Sequence, residues 1–103
     1  MRRLTGSSDK PRLCVFRSNR HIYAQIVDDT KGHTIAGFSS MSPDIRDKNF
    51  KNPMERAKEV GKVLSKKAKD KKVKSVVFDR RNYKFHGQVK MLAEGAREGG
   101  LKF

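Results

Sequence analysis

Within the first forty residues, one segment alternates apolar and polar residues with the two-residue period of a β-strand. The alternation is clearest at residues 21–27, where Ile22, Ala24 and Ile26 fall on one side of the strand. Runs rich in β-branched or aromatic residues lie before and after it, at residues 12–17 and 33–38. Their connections are short and polar, which favours antiparallel pairing. The pattern predicts a three-stranded meander with one core face and one partly polar face.

The spacing of apolar residues changes to three or four after residue 52, which indicates an amphipathic helix. Asn52 is a good N-cap, Pro53 suits the first helical position, and Glu55 lies three residues after the cap. The apolar positions predicted to lie on the sheet are Met54, Ala57, Val60, Gly61, Leu64 and Ala68. The preceding segment, residues 39–51, has no steady period and is predicted to be a loop.

A short apolar run at residues 73–78 follows this helix and predicts a strand that is parallel to a neighbour, reached by a right-handed crossover. A last helix is expected from about His86 to Glu98, where Gly99-Gly100 ends it. The predicted order is βββαβα. We therefore expect a single α/β domain with a mixed sheet, made of an antiparallel meander plus one parallel strand, and two helices.

The length of the chain and its charge limit the possible domain organisation and the classes of partner. The chain of 103 residues suits one domain, which we place at residues 12–103 behind a flexible basic arm at residues 1–11. Lysine and arginine number 25 against 11 acidic residues, a formal net charge of +14. Such an excess is typical of proteins that bind polyanions through phosphate groups. Without a run of about 20 apolar residues, we expect an intracellular protein that does not enter membranes. Cys14, the single cysteine, is predicted to be a core residue.

Two short basic stretches at predicted strand ends combine arginines, aromatic rings and hydrogen-bonding side chains, as folded RNA requires of a partner. The second stretch precedes a helix start, where free backbone amides attract phosphate. Asp79 is interpreted as an orienting or capping partner. The candidate RNA-binding residues are Arg2, Arg3 and Lys10 in the arm, Arg12 at the start of the first predicted strand, Arg17, Ser18, Asn19, Arg20, His21 and Tyr23 in the first stretch at residues 16–23, and Arg80, Arg81, Tyr83, Lys84, His86 and Gly87 in the second at residues 79–87.

Two other functions have to be weighed. A metal-dependent nuclease would use Asp28, Asp29 or Asp79, but Asp28 and Asp29 open a hairpin turn and no calcium-loop pattern follows them. The histidines lack zinc-site spacing, and phosphate-loop and serine-nucleophile motifs are missing from the sequence. We expect no catalysis, no metal and no cofactor. The other alternative is a general RNA chaperone or nucleoid-type protein that binds any polyanion.

The order and spacing of several segments make the chain resemble the ribosomal protein L18 family of the bacterial large subunit. The segments that carry the resemblance are residues 11–19, 21–25, 28–32, 76–80, 83–84, 86–87 and 92–101. The resemblance implies a ribonuclease-H-like α/β architecture without nuclease activity and a place in the cytoplasmic ribosome. It also implies binding to 5S rRNA, which the protein attaches to 23S rRNA in the central protuberance, beside another 5S-binding ribosomal protein. The free protein is expected to be monomeric.

Carried over by position, the resemblance implies RNA contacts at Arg12, Arg17, Ser18, Asn19, His21 and Tyr23, and at Arg80, Tyr83, Lys84, His86 and Gly87. The chain departs from the family in its short start, in Gln88 where a basic residue is common, and in Arg81-Asn82 where a pair richer in glycine is usual.

Overall fold

The computed structural model of the chain describes residues 5–7, 9–18, 21–46, 50–81 and 83–103. Four strands form one mixed sheet in the order β3-β2-β1-β4. The strands pair antiparallel from β1 to β2 and from β2 to β3, while β4 is parallel to β1. The α/β mixed sheet that the sequence predicts is thus confirmed. The elements are β1 Arg12–Arg17, β2 Ile22–Asp28, β3 His33–Ser39, α1 Pro43–Arg46, α2 Pro53–Asp70, β4 Val77–Asp79 and α3 Gly87–Glu98.

One face of the sheet is covered by α2 and α3 and holds the core. The strands contribute Leu13, Val15, Ile22, Ala24 and Ile26, all with no exposed surface. These pack with apolar side chains from both helices in one cluster. Because side chains alternate across a strand, the other face, here called the open face, carries the residues between them. The candidate site lies on this open face.

The start of α2 confirms the predicted capping. The amide of Glu55 donates to Asn52 Oδ1 at 2.9 Å, and the Glu55 carboxylate accepts from the amide of Lys51 at 3.0 Å. The predicted burial of Met54 is wrong, because this side chain is 44% exposed. Met54 lies in the first turn of the helix, before α2 reaches the sheet.

The two long helices touch each other through backbone at two glycines. A Cβ on Gly61 would lie 2.1 Å from the carbonyl oxygen of Leu92, and one on Gly95 would lie 2.1 Å from that of Lys58. Any larger residue at either position would push the helices apart. The pair therefore packs at a single, close separation.

Two segments differ from prediction. The segment predicted to be a loop contains the short helix α1, whose Ile45 is buried at 2% exposure and joins the core. The predicted strand at residues 73–78 is shorter, because only Val77–Asp79 pair with β1. Ser75 instead forms a parallel bridge with Lys102, so the C-terminal residues cover the outer edge of the sheet beside β4.

Candidate nucleic-acid interface

Arg12 holds the strand ends of the open face together. Its Nε and Nη2 donate to the two carboxylate oxygens of Asp29 at 2.9 and 3.1 Å, and its Nη1 donates to Asp79 Oδ2 at 2.9 Å. Nη1 also contacts the sulfur of Cys14. These hydrogen bonds, that to Asp29 first, raise the pKa of Arg12 above its ordinary value. The guanidinium thus joins β1, β4 and the turn after β2.

Cys14 is buried, as predicted, but on the open face and outside the apolar core cluster. It lies beneath the Arg12 guanidinium. Burial raises the pKa of its thiol, which favours the neutral form at neutral pH. Cys14 therefore fills space under the ion pairs.

A column of stacked groups crosses the open face. The Phe16 and Tyr23 rings are stacked, with centroids 4.9 Å apart and planes 12° from parallel. The Arg81 guanidinium carbon lies 4.6 Å from the Phe16 centroid. Arg81 has a left-handed backbone, φ 57°, and its amide donates to Asp79 Oδ1 at 2.8 Å. Asp79 therefore acts as an orienting partner for the Arg81 backbone.

The Tyr83 hydroxyl joins the two basic stretches. It accepts from the amide of Arg17 at 3.0 Å and donates to the carbonyl of Arg17 at 3.1 Å. The hydroxyl thus satisfies both the amide and the carbonyl of Arg17 at the end of β1, as the backbone of a neighbouring strand does. The Arg17 guanidinium lies 6.0 Å from the centre of the same ring. Residues 66 positions apart in sequence are in this way brought into one site.

The loop between β4 and α3 is held by its own hydrogen bonds. Arg80 Nη1 donates to the carbonyl of Tyr83 at 2.7 Å, and the amide of His86 donates to the carbonyl of Lys84 at 2.8 Å. His86 is the N-cap of α3 but makes no side-chain capping bond, and the first turn contains no acidic residue. Gly87 has φ +56° and open space where a Cβ would be. The helix start is therefore accessible to an anion.

Hydrogen bonds hold the turn between β1 and β2 at its start and at its end. The amide of Ser18 donates to the carbonyl of His21 at 2.9 Å. Buried Ser40 holds the end of the turn, where β2 begins. Its Oγ lies 3.0 Å from His21 Nδ1 and accepts from the amide of Ile22 at 3.1 Å. His21 is thus oriented at the edge of the open face.

The predicted arm is described only in part. Gly6 is buried, and its amide donates to Asp29 Oδ2 at 2.7 Å, while the amide of Lys10 donates to Ser7 Oγ at 3.1 Å. Lys10 is exposed beside Pro11, which is buried. The candidate residues Arg2, Arg3, Asn19 and Arg20 lie outside the described residues.

Sequence reasoning missed residues that build the site without being basic. Phe16 forms the centre of the stack, and Ser40 orients His21. Phe16 directly precedes Arg17 in the first basic stretch, which was an available signal for it. No local pattern marks Ser40, because its bonds depend on how the chain returns beside β2.

The carboxylates of the nuclease alternative have other roles. Asp29 and Asp79 pair with Arg12, and Asp28 Oδ1 accepts from the amide of Thr30 at 3.0 Å in the turn. Within the described residues, no group of three or more metal-binding side chains is placed to hold an ion. No helix in the described part of the chain is long and apolar enough to cross a membrane.

A second group of cations lies at the other end of α3. Lys69, Lys72 and Lys74 line a depression of about 480 Å³ whose floor includes Val73 and the Gly99-Gly100 backbone. Among the described residues, none of these lysines pairs with a carboxylate, whereas Lys58 and Lys62 pair with Glu98 at 3.2 and 3.6 Å. Because α3 has 12 residues, about 18 Å separate this depression from Gly87.

Comparison with known proteins places the chain in a family. The model of ribosomal L18 of archaea, bacteria, mitochondria and chloroplasts matches residues 1–103. The large ribosomal subunit protein uL18 of Thermotoga petrophila is 55% identical over 103 residues, which are 99% of this chain and 84% of that protein. The proteins of the same name from Petrotoga mobilis and Staphylococcus aureus are 57% and 55% identical over 99 and 100 residues. These cover 95% and 97% of this chain and 81% and 82% of those proteins.

The family match spans the same stretches that form the fold and the open face. Its members are structural proteins of the ribosome, so the predictions of a non-catalytic ribosomal protein and of a place in the cytoplasmic ribosome are confirmed. The chain therefore belongs to the ribosomal L18 family.

Proposed function

We propose that this protein binds 5S rRNA through the open face and the loop before α3, and attaches it to 23S rRNA in the central protuberance of the large subunit. The relatives named above as large ribosomal subunit proteins support the setting. Within the structure, the Tyr83 hydroxyl carries the proposal, because its bonds to Arg17 make one surface from two basic stretches.

The chemistry of this surface suits folded RNA. Arg17, Lys84 and the accessible start of α3 can take phosphate groups, and fixed rings lie beside them. Arg12 contributes differently, since its guanidinium is already engaged with two carboxylates. We infer that Arg12 positions the strand ends. Direct RNA contact by Arg12, Ser18, His21, Arg80 and the arm residues stays a prediction.

Attachment to a second RNA needs a second surface, and the depression lined by Lys69, Lys72 and Lys74 fits that role. Lysines without a carboxylate partner are available to phosphate. The depression and the open-face site lie at opposite ends of α3, so each can take a different RNA segment. We place 23S rRNA at this depression. The neighbouring 5S-binding protein and the monomeric free state stay predictions.

A binding titration with 5S rRNA tests the first half of the proposal, with transfer RNA and duplex DNA as competitors. We expect competitor-resistant binding, and for about six neutralised phosphates a slope of roughly −4 to −5 for log affinity against log salt. The double variant Arg17→Met with Lys84→Met should weaken binding about tenfold or more. The matched control, Lys58→Met with Lys62→Met, removes the same charge and should have little effect. Equal loss to any competitor would instead indicate a general polyanion binder.

Capture of 23S rRNA by the immobilised complex of protein and 5S rRNA tests the second half. Changing Lys69, Lys72 and Lys74 to Gln should abolish capture while 5S rRNA binding persists. The Lys58 and Lys62 double variant is again the control. Unchanged capture by the triple variant would show that the depression does not hold 23S rRNA.

A further inference from the structure

We propose that an unpaired nucleobase stacks on the outer face of the Tyr23 ring, in a slot above β3. The inference rests on the proposed function and specifies which part of the RNA this end of the open face takes. It follows from the stacked column, the strand order and the shape of the surface beside Tyr23.

The column stops one strand short of the sheet edge. Its layers are Arg81 after β4, Phe16 on β1 and Tyr23 on β2, which follows the strand order. The next strand is β3, where Ser39 pairs with Tyr23 and Gly37 pairs with Gln25. Because Ser39 and Gly37 have no aromatic side chain, no ring of β3 stacks on the outer face of Tyr23. Tyr23 itself is 40% exposed.

The space beside Tyr23 has the size of a small-ligand site. An open depression of about 390 Å³ lies there at the edge of β3, lined by Tyr23, Gln25, Gly37 and Ser39 of the open face and by Phe38 and Lys67 from the helix side. This volume is within the range of sites that take small organic groups, and a flat aromatic group would continue the column. Every nucleobase has a face that stacks on such a ring.

Polar groups around the slot match the rest of a nucleotide. The Gln25 amide can both donate to and accept from the edge of a base. Ser39 Oγ accepts from the amide of Met41 at 3.1 Å, so its hydroxyl proton remains available to a base or ribose. Lys67 reaches the same depression from α2, where its ammonium lies 5.6 Å from the Phe38 ring centre, and adds positive charge at the edge of β3. The occupant is therefore a nucleotide whose base is free of pairing.

Titration of 5S rRNA against slot variants tests this inference. Tyr23→Phe keeps the ring and should lose less affinity than Tyr23→Leu. Tyr23→Leu removes the ring, and Ser39→Tyr fills the slot, so each should weaken binding about tenfold. The slope of log affinity against log salt should stay the same, because no phosphate contact is lost.

Lys66→Tyr is the control for adding a ring, since Lys66 is exposed on α2, away from the open face. It should leave affinity unchanged. Urea unfolding of each variant separates loss of binding from loss of fold. If Tyr23→Leu and Ser39→Tyr bind 5S rRNA normally, the stacking inference fails while the proposed function holds. If the unchanged protein does not bind 5S rRNA, both fail.

Discussion

The open face of the sheet and the exposed side of α2 are both rich in positive charge, yet they hold it in different ways. On the open face, Arg12 binds two carboxylates and Arg81 lies on a ring. On α2, Lys66 projects into solvent, and among the described residues the carboxylate partners of this helix's lysines are limited to Glu98. Net charge alone therefore does not identify a binding surface. Cations held in position create a surface with defined shape, whereas an exposed lysine such as Lys66 supplies attraction without geometry.

Replacing one cation in each region gives the largest expected difference in the free energy of unfolding. Arg12→Met leaves Asp29 and Asp79, with side chains 24% and 19% exposed, without their shared partner. We expect the free energy of unfolding to fall by about 2 kcal/mol, between the values for buried and exposed pairs. Lys66→Met should change it by less than about 0.5 kcal/mol. Urea denaturation measures both, and similar losses would remove the distinction between the regions.

Removing one hydroxyl sharpens the comparison within the open face. Tyr83→Phe loses the two bonds to the Arg17 backbone, so we expect a loss of about 1 kcal/mol in stability. Affinity for 5S rRNA should also decrease, since the second basic stretch then loses its hydrogen bonds to the end of β1. Tyr23→Phe is the control, because its hydroxyl makes no hydrogen bond within the described residues. Equal behaviour of the two variants would contradict the role given to Tyr83.

The smallest effect is expected at Glu98, the carboxylate of the α2 lysines. Its hydrogen bond with Lys58 is the main cause that lowers the pKa of this carboxyl. A lowered folded-state pKa gives stability that is present above the unfolded pKa and lost as pH falls through the folded pKa. The difference between the protein and Glu98→Gln should therefore disappear in acid. Urea midpoints measured from neutral pH downward test this, and a difference that grows in acid would contradict it.

Local pattern was sufficient for much of the fold. Apolar and aromatic content located β1 at its observed bounds, and the Asn52 cap and the Gly99-Gly100 end located the long helices. Local pattern failed where tertiary contact decides. Ile45 makes a short helix because the core accepts it, and Met54 is exposed because α2 starts beyond the sheet.

The candidate site was predicted by residue type and not by arrangement. Arginine and tyrosine at strand ends indicated RNA, but Arg12 meets Asp79 across 67 positions, a contact that only the pairing of β1 with β4 creates. The same pairing brings Arg81 over Phe16 and Tyr83 to Arg17. These contacts join residues far apart in sequence, so spacing alone could not predict them. It therefore could not separate residues that position the site from residues that would contact RNA.

The glycine contacts between α2 and α3 have a consequence for ribosome assembly. Backbone against backbone at Gly61 and Gly95 holds α3 close against α2. The 12 residues of α3 set its two ends about 18 Å apart. If each end binds a different RNA, the protein acts as a rigid spacer that sets how far apart the two phosphate backbones lie.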